Sequence, residues 1–481
     1  MTAEQLKKKI SEHFPYELTA GQSSLLGMIA EFLLDREERN LFVLKGYAGT
    51  GKTTIVKAIA DVMDEYKHGI VLLAPTGRSA KVLSNYSGRK AFTIHKKIYK
   101  LHTGSDGLFH LKLTQNIHKN TLFIVDEASM IANTSIGQEG SLFGGRALLD
   151  DLMEYVYNGS NCRLIIIGDT AQLPPVGMDI SPALDLKFLQ STFGIKIRSF
   201  ELTEVVRQEM DSGILFNATA IRKIIASQKQ NVFPKFKMDG FTDIVKVRGD
   251  DLEDALNEAY GTYRADETIV VCRSNKRANL YNGQIRSRII GRESEITGGD
   301  LLMAVKNNYF WLSDESKAGF IANGEMLEVQ RLKNIKEMYD FRFAETSVRL
   351  KDYPDEDSFD ALLLLDTIQS EAPALTNTES RKLYDSIMED YQDVPSKRSR
   401  MQKVRESKYF NALQVKFAWA LTCHKSQGGQ WKAVFIEQGY LKDNMIDRAY
   451  LRWLYTSLTR ATEKVYLINF DKKFFDEQPN E

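Results

Sequence analysis

Eight consecutive residues, Gly46-Tyr47-Ala48-Gly49-Thr50-Gly51-Lys52-Thr53, have the types and spacing to hold a triphosphate. Glycines at the first and sixth positions let backbone N–H groups turn inward around an anion. Lys52 can reach the outer phosphates, the Thr53 hydroxyl can hold Mg²⁺, and Thr54 continues into the next turn. A carboxylate pair, Asp126-Glu127, closes the apolar run Thr121–Val125. Such a pair suits phosphate hydrolysis: Asp126 can hold Mg²⁺ through water, and Glu127 can orient and deprotonate an attacking water. Gln172 follows another apolar run, Arg163–Ile167, after a Gly-Asp turn. Two arginines of the second half, Arg207 and Arg460, are by default surface residues. Their sharper use is to cross a cleft to a γ-phosphate held by the first half.

The elements that must carry these groups are legible in the apolar spacing. Leu41–Leu44 is short enough for a buried strand, and Ile55, Val56, Ile59, Ala60 and Met63 recur at helical spacing after the glycine turn. With Ile70–Ala74, Thr121–Val125 and Arg163–Ile167, four strands alternate with helices, which predicts a parallel sheet covered on both faces. The second half repeats the pattern at Thr268–Cys272, Val415–Leu421, Ala433–Ile436 and Lys464–Ile468, without a phosphate loop of its own. Polar strand ends belong to the same edge, where open α/β sheets bind ligands: Thr76 in the stretch 75–80, and Thr422, His424 and Ser426 in the stretch 422–428. Thr93 and His95 follow a short helical stretch, and the spacing alone reads His95 as a satisfied surface histidine.

Two insertions interrupt the plan. Residues 96–120 place turn residues between two short alternating arms, which predicts a hairpin with Phe109 near its tip. Residues 290–410 begin with several short strand-like runs, which predict a small β-barrel, and continue with a charged helical part. The basic residues there (Lys397, Arg398, Arg400, Lys403, Arg405, Lys408) fit a solvated helix face or a nucleic-acid track. The glycine-rich stretch 133–146 reads as a surface loop.

Composition limits the alternatives. A chain of 481 residues is too long for one core, and 43% apolar residues suffice for several. Lysine plus arginine and aspartate plus glutamate both number 64, so any basic track must be local. Cys162, Cys272 and Cys423 stand far apart, which predicts reduced thiols in a cytoplasmic protein and no structural zinc. No signal peptide and no run of membrane-spanning length are read.

In order, the motifs are LTAGQ, GYAGTGKT, APTGRSA, TIH, DEASM, GDTAQLPPV, LTEVVRQ, TCHKSQG and YTSLTRA. This series resembles the superfamily 1 helicases, in the RecD-like B branch, and the layout is similar to the compact Dda type. The resemblance runs from Gln22 to Arg460. It implies two RecA-like parallel-sheet domains, the first in 1–95 and 121–180 and the second in 181–290 and 411–481. It also implies a pin-like hairpin in 96–120 and an SH3-like barrel with a basic helical segment in 291–410. The resemblance implies that Gln22 recognises adenine and that Gly46, Ala48, Gly49, Thr50, Gly51, Lys52, Thr53 and Thr54 bind ATP with Mg²⁺ on Thr53 and Asp126. Lys52, Glu127, Gln172, Arg207 and Arg460 would then be catalytic. Thr76, Thr93, His95, Thr422, His424 and Ser426 would line a single strand, with Phe109 at the duplex junction. The implied partners are single-stranded and tailed duplex DNA and proteins of replication or recombination, with no membrane; a monomer fits the layout. The implied polarity is 5′ to 3′. A switch-like or scaffold ATPase, an RNA helicase and a RecD-like subunit of a nuclease complex are the competing expectations.

Overall fold

Strand β1 (Asn40–Gly46) is buried along almost its whole length, as a strand covered by helices on both faces must be. It is one of six parallel strands in a computed structural model that describes residues 1–37, 39–103, 109–133, 147–206, 211–227, 232–313, 316 and 318–475; the side chains of 101–103 and 109–111 are not described. The others are β2 (Gly69–Ala74), β3 (Ala91–Thr93), β6 (Thr121–Val125), β7 (Arg163–Gly168) and β8 (Lys196–Leu202), in the order β3-β2-β6-β7-β1-β8. Between them β4 (Tyr99–Thr103) and β5 (Phe109–Leu113) form the expected antiparallel hairpin, Tyr99 opposite Leu113. The carboxyl ends of β1, β2, β6 and β7 deliver the phosphate loop, Thr76, Asp126-Glu127 and Gln172 to one sheet edge.

β8 corrects the expected boundary at residue 181. It pairs with β1 from Asn40↔Lys196 to Gly46↔Leu202, so the chain stays in the first lobe through Leu202. Its sequence, KIRSFEL, has no apolar run because it is an edge strand in which only Leu202 is fully buried.

The second sheet contains β9 (Ile244–Val247), β10 (Thr268–Cys272), β16 (Ala420–Thr422), β17 (Trp431–Glu437) and β18 (Ala461–Ile468), parallel in the order β16-β10-β17-β18-β9. A closed barrel is built from β11 (Leu301–Ala304), β12 (Met326–Met338), β13 (Phe341–Leu350), β14 (Phe359–Leu364) and β15 (Leu413–Phe417). The run Val415–Leu421, expected as one strand of the second sheet, is therefore two. β15 closes the barrel against β11, and β16 pairs with β10. The expected barrel limit at 410 thus falls a few residues short. Helices Asn377–Glu389 and Lys397–Glu406 set Leu383, Ile387 and Val404 against Phe341, Phe343, Leu362 and Leu364 of the barrel. Lys397, Arg398, Lys403 and Lys408 remain on the exposed side. No described helix is long and apolar enough to cross a membrane.

The barrel rests on the first lobe through buried charge. Lys96 Nζ lies 3.3 Å from Glu325 Oε1 and donates to the Tyr353 hydroxyl, with side-chain exposures of 9% for Lys96 and 1% for Glu325. Lys81 pairs with Asp352 at 3.2 Å nearby. Burial pushes the Glu325 carboxyl up to about 7 despite Lys96, and burial lowers the Lys96 ammonium. Replacing Lys96 by Met should cost about 3–5 kcal/mol where Glu325 stays charged, the scale for leaving one partner of a buried pair alone. A carboxyl whose folded pKa lies above its unfolded value loses stability as pH rises from the unfolded value through the folded one. Removing Lys96 moves the folded value higher still, so the difference between the two proteins opens above neutral pH. Melting temperatures of both at about pH 6 and about pH 9 measure this; an equal gap at the two values would count against the pair.

Candidate nucleotide site and nucleic-acid groove

The phosphate loop leaves β1 and turns into the helix Lys52–Glu65, with Gly49 and Gly51 in left-handed conformations. At Gly51 (φ +80) glycine is required twice, because a Cβ there would also come within 2.7 Å of Gln22 Nε2. Gln22 starts from the capping box expected at Thr19. The Thr19 hydroxyl accepts from Gln22 N–H, and Gln22 Oε1 accepts from Thr19 N–H. Its Nε2 then donates to the Thr50 carbonyl at 3.1 Å. Gln22 therefore braces the loop, and only the second hydrogen and lone pair of that amide are left for a base. Lys52 Nζ and Thr50 Oγ1 both donate to the Tyr47 carbonyl, at 2.7 and 2.8 Å.

Asp126 Oδ1 accepts the Glu127 N–H at 2.8 Å. Burial and then the neighbouring Glu127 charge push the Asp126 carboxyl up to about 6, and Lys52 works against both. Glu127 sits at φ 53, a left-handed position uncommon for a residue with a side chain. The carboxylate at the end of β6 and the hydroxyl at the start of the phosphate-loop helix are hard oxygen donors, the type that suits Mg²⁺. Gln172 is 5% exposed, and its buried Oε1 has no hydrogen-bond partner among the described residues. Such an atom is a candidate ligand contact.

The second lobe reaches this cleft through the helix Arg448–Leu458. The Tyr455 hydroxyl accepts the Ala48 N–H of the phosphate loop at 2.9 Å and donates to Asp169 Oδ2 at 2.6 Å. Thr456 Oγ1 accepts the Leu173 N–H at 2.9 Å, and Arg452 donates to the Asp179 and Thr170 carbonyls. From the helix Gly213–Ser227, Arg222 stacks 4.3 Å from the centre of the Tyr47 ring. The expected arginines behave differently. Arg460 is 3% exposed and folded into its own lobe, donating to the Thr456 and Gly429 carbonyls and to Thr459 Oγ1. Arg207 lies outside the described residues. The chain just before it does enter the cleft, where the Val206 N–H donates to the Gly49 carbonyl at 2.9 Å.

The two polar strand-end motifs meet across the same seam. Arg78 stacks 3.8 Å from the Trp431 ring and donates to the Gln430 carbonyl, and a Cβ at Gly428 (φ +73) would run into Ser79 and Thr76. Thr76 is half-buried with its hydroxyl on Ser79, Thr422 is half-buried, and His424 is exposed. His95 is half-buried, and burial pulls its imidazole down to about 4. Two expected lining residues are corrected. Thr93 is 2% exposed and caps the short helix that follows; Ser426 is fully buried and donates to the Cys423 carbonyl. Both hydroxyls hold up the motif from behind. Phe109 lies on β5, and its side chain is outside the described residues.

Two family profiles match, the AAA domain over residues 17–228 and the UvrD-like helicase C-terminal domain over residues 417–468. The first runs from residue 17 through the first-lobe sheet into the helix Gly213–Ser227, and the second covers the seam-facing part of the second lobe. The ATP-dependent DNA helicase dda of Enterobacteria phage T4 is 28% identical over 60% of this chain and 61% of its own length. The ATP-dependent RecD2 DNA helicase of Deinococcus radiodurans is 34% identical over 41% of this chain and 23% of its own length. This chain is similar in sequence to both of these helicases. It therefore spans less than two thirds of either relative. A Bacteroides Pif1 helicase crystallised with ADP-AlF3 and single-stranded DNA is 14% identical, with 96% of this chain and 95% of that chain covered at a TM-score of 0.47. Tyr455 and Thr456 lie inside the motif YTSLTRA, where the sequence assigns neither of them a role. Arg222 and Arg452 carried no sequence signal.

Proposed function

We propose that this chain is an ATP-dependent DNA helicase that turns closure of the seam between its lobes into movement along a single strand. The observation that carries this reading is the Tyr455 bridge, because one side chain of the second lobe touches both the phosphate loop and Asp169 of the first. The relatives' names supply ATP and DNA as fuel and track. Lys52 takes the outer phosphates, and Glu127 draws a proton from the attacking water; Thr53 and Asp126 would hold Mg²⁺, which when bound would supply neutralising charge. Gln172 reports the γ-phosphate, and Arg207 and Arg460 stabilise it from the second lobe. The groove between 75–80 and 422–431 grips the backbone of the strand, with the hairpin at the junction.

An ATPase assay with no nucleic acid, with single-stranded DNA and with single-stranded RNA tests this, followed by unwinding of duplexes tailed at either end. DNA should raise turnover, and a 5′ tail should support unwinding. Turnover indifferent to any nucleic acid would favour a switch-like ATPase, and stimulation by RNA alone would change the substrate.

A further inference from the structure

In this cleft two of the donors that would hold a phosphate already have protein acceptors. Lys52 Nζ is on the Tyr47 carbonyl, and the Ala48 N–H is on the Tyr455 hydroxyl. The Tyr455 oxygen is an unusually good acceptor for a phenol, because its own proton is committed to the carboxylate of Asp169 at 2.6 Å. Tyr455 is 1% exposed and Asp169 1%, so water does not replace this contact in the closed cleft. The helix that carries Tyr455 is held to the same lobe by Thr456 and Arg452, which fixes the hydroxyl over the loop.

We propose that Tyr455 is a positioning residue that competes with nucleotide phosphate for the Ala48 N–H, so that phosphate binding displaces a second-lobe side chain and phosphate release lets it return. The cleft thereby senses nucleotide through a neutral group, apart from any arginine. This rests on the reading of the cleft as an ATP site. When phosphate arrives, the Ala48 N–H passes to a phosphate oxygen, and the Tyr455 hydroxyl keeps only Asp169. When phosphate leaves, the N–H returns to Tyr455, so this donor is not left unpaired.

The test is Tyr455→Phe, which removes the acceptor and keeps the ring. Without competition, a fluorescent ADP and a non-hydrolysable ATP analogue should both bind more tightly, by roughly 5-fold or more, the lower end of what an unmade buried hydrogen bond costs. KM for ATP should fall with them, and kcat should fall because ADP leaves more slowly. Asp169→Asn, a near-isosteric change, should shift both affinities in the same direction by less, since a neutral acceptor polarises the phenol less. Unchanged affinity in Tyr455→Phe with a lower melting temperature would reduce Tyr455 to packing and overturn the proposal. Loss of ATP affinity with ADP unchanged would make the hydroxyl a γ-phosphate ligand and overturn it as well. If the wild-type protein bound neither nucleotide, the ATP-site reading itself would fall, a result distinct from either of these.

Discussion

Lys52→Ala leaves a folded protein that hydrolyses ATP at least about 10³-fold more slowly, the upper scale for removing one preorganised donor from a site where charge develops. Two consequences of the geometry add up. The ammonium donates to the Tyr47 carbonyl at 2.7 Å, at the mouth of the loop, and from there it can swing to the outer phosphates. It is also the cation that holds down the carboxyls of Asp126 and Asp169, both pushed upward by burial. Without it the Asp126 carboxyl moves above its present value of about 6, so at neutral pH a larger share is protonated and unable to hold Mg²⁺. The loss in turnover should therefore be partly recovered as pH rises, whereas the loss of the phosphate contact should not. Phosphate release measured across pH, with circular dichroism as the control for folding, separates the two. Hydrolysis at the wild-type rate in a folded variant would remove the basis of the ATP-site reading.

The parts of this site that could be read before the structure share one property: each is local in the chain. β1, β2, β6 and β7 are apolar runs that stop in small or acidic residues, so the strand and the chemistry at its end are seen together. β8 has no such run, since an edge strand buries little, and its place beside β1 follows only from pairing. The split of Val415–Leu421 between barrel and sheet was hidden for a related reason. β15 (LQVKF) and β16 (ALT) follow each other almost directly, and only Ala418-Trp419 between them mark the change of sheet. The cross-lobe contacts are the least legible. Ala48 and Tyr455 are 407 residues apart, and a tyrosine in Arg448–Leu458, where almost every residue is buried, looks like core packing. Thr93 and Ser426 were misread in the opposite sense. A hydroxyl near a strand end suggests a ligand, yet Thr93 accepts from the backbone of the short helix that follows it, and Ser426, the last residue of the helix Cys423–Ser426, donates back to the Cys423 carbonyl.

Arg460→Ala should slow turnover by roughly 10³–10⁵-fold, the range for an arginine that stabilises a transferring phosphoryl group, with nucleotide affinity less affected. The structure sharpens this expectation. The guanidinium donates within its own lobe, to the Thr456 carbonyl, the Gly429 carbonyl and Thr459 Oγ1. To act on a phosphate it must release some of these, and the residues it would release are informative. Thr456 presents its hydroxyl to the Leu173 N–H beside Gln172, and Gly429 packs against Arg78 in the groove. An arginine that exchanges those carbonyls for a γ-phosphate would loosen the groove motif as it entered the nucleotide site. Two variants separate chemistry from scaffolding. Arg460→Lys keeps the charge but loses the planar fork, so it should recover part of the melting temperature and little of kcat if the residue is catalytic. If Arg460 only ties the 429–431 turn to the end of its helix, Arg460→Ala should lower stability and DNA affinity while kcat at saturating DNA stays near the wild-type value. That outcome would leave Arg207, or Arg222 stacked on Tyr47, as the cation reaching the phosphates from the second lobe.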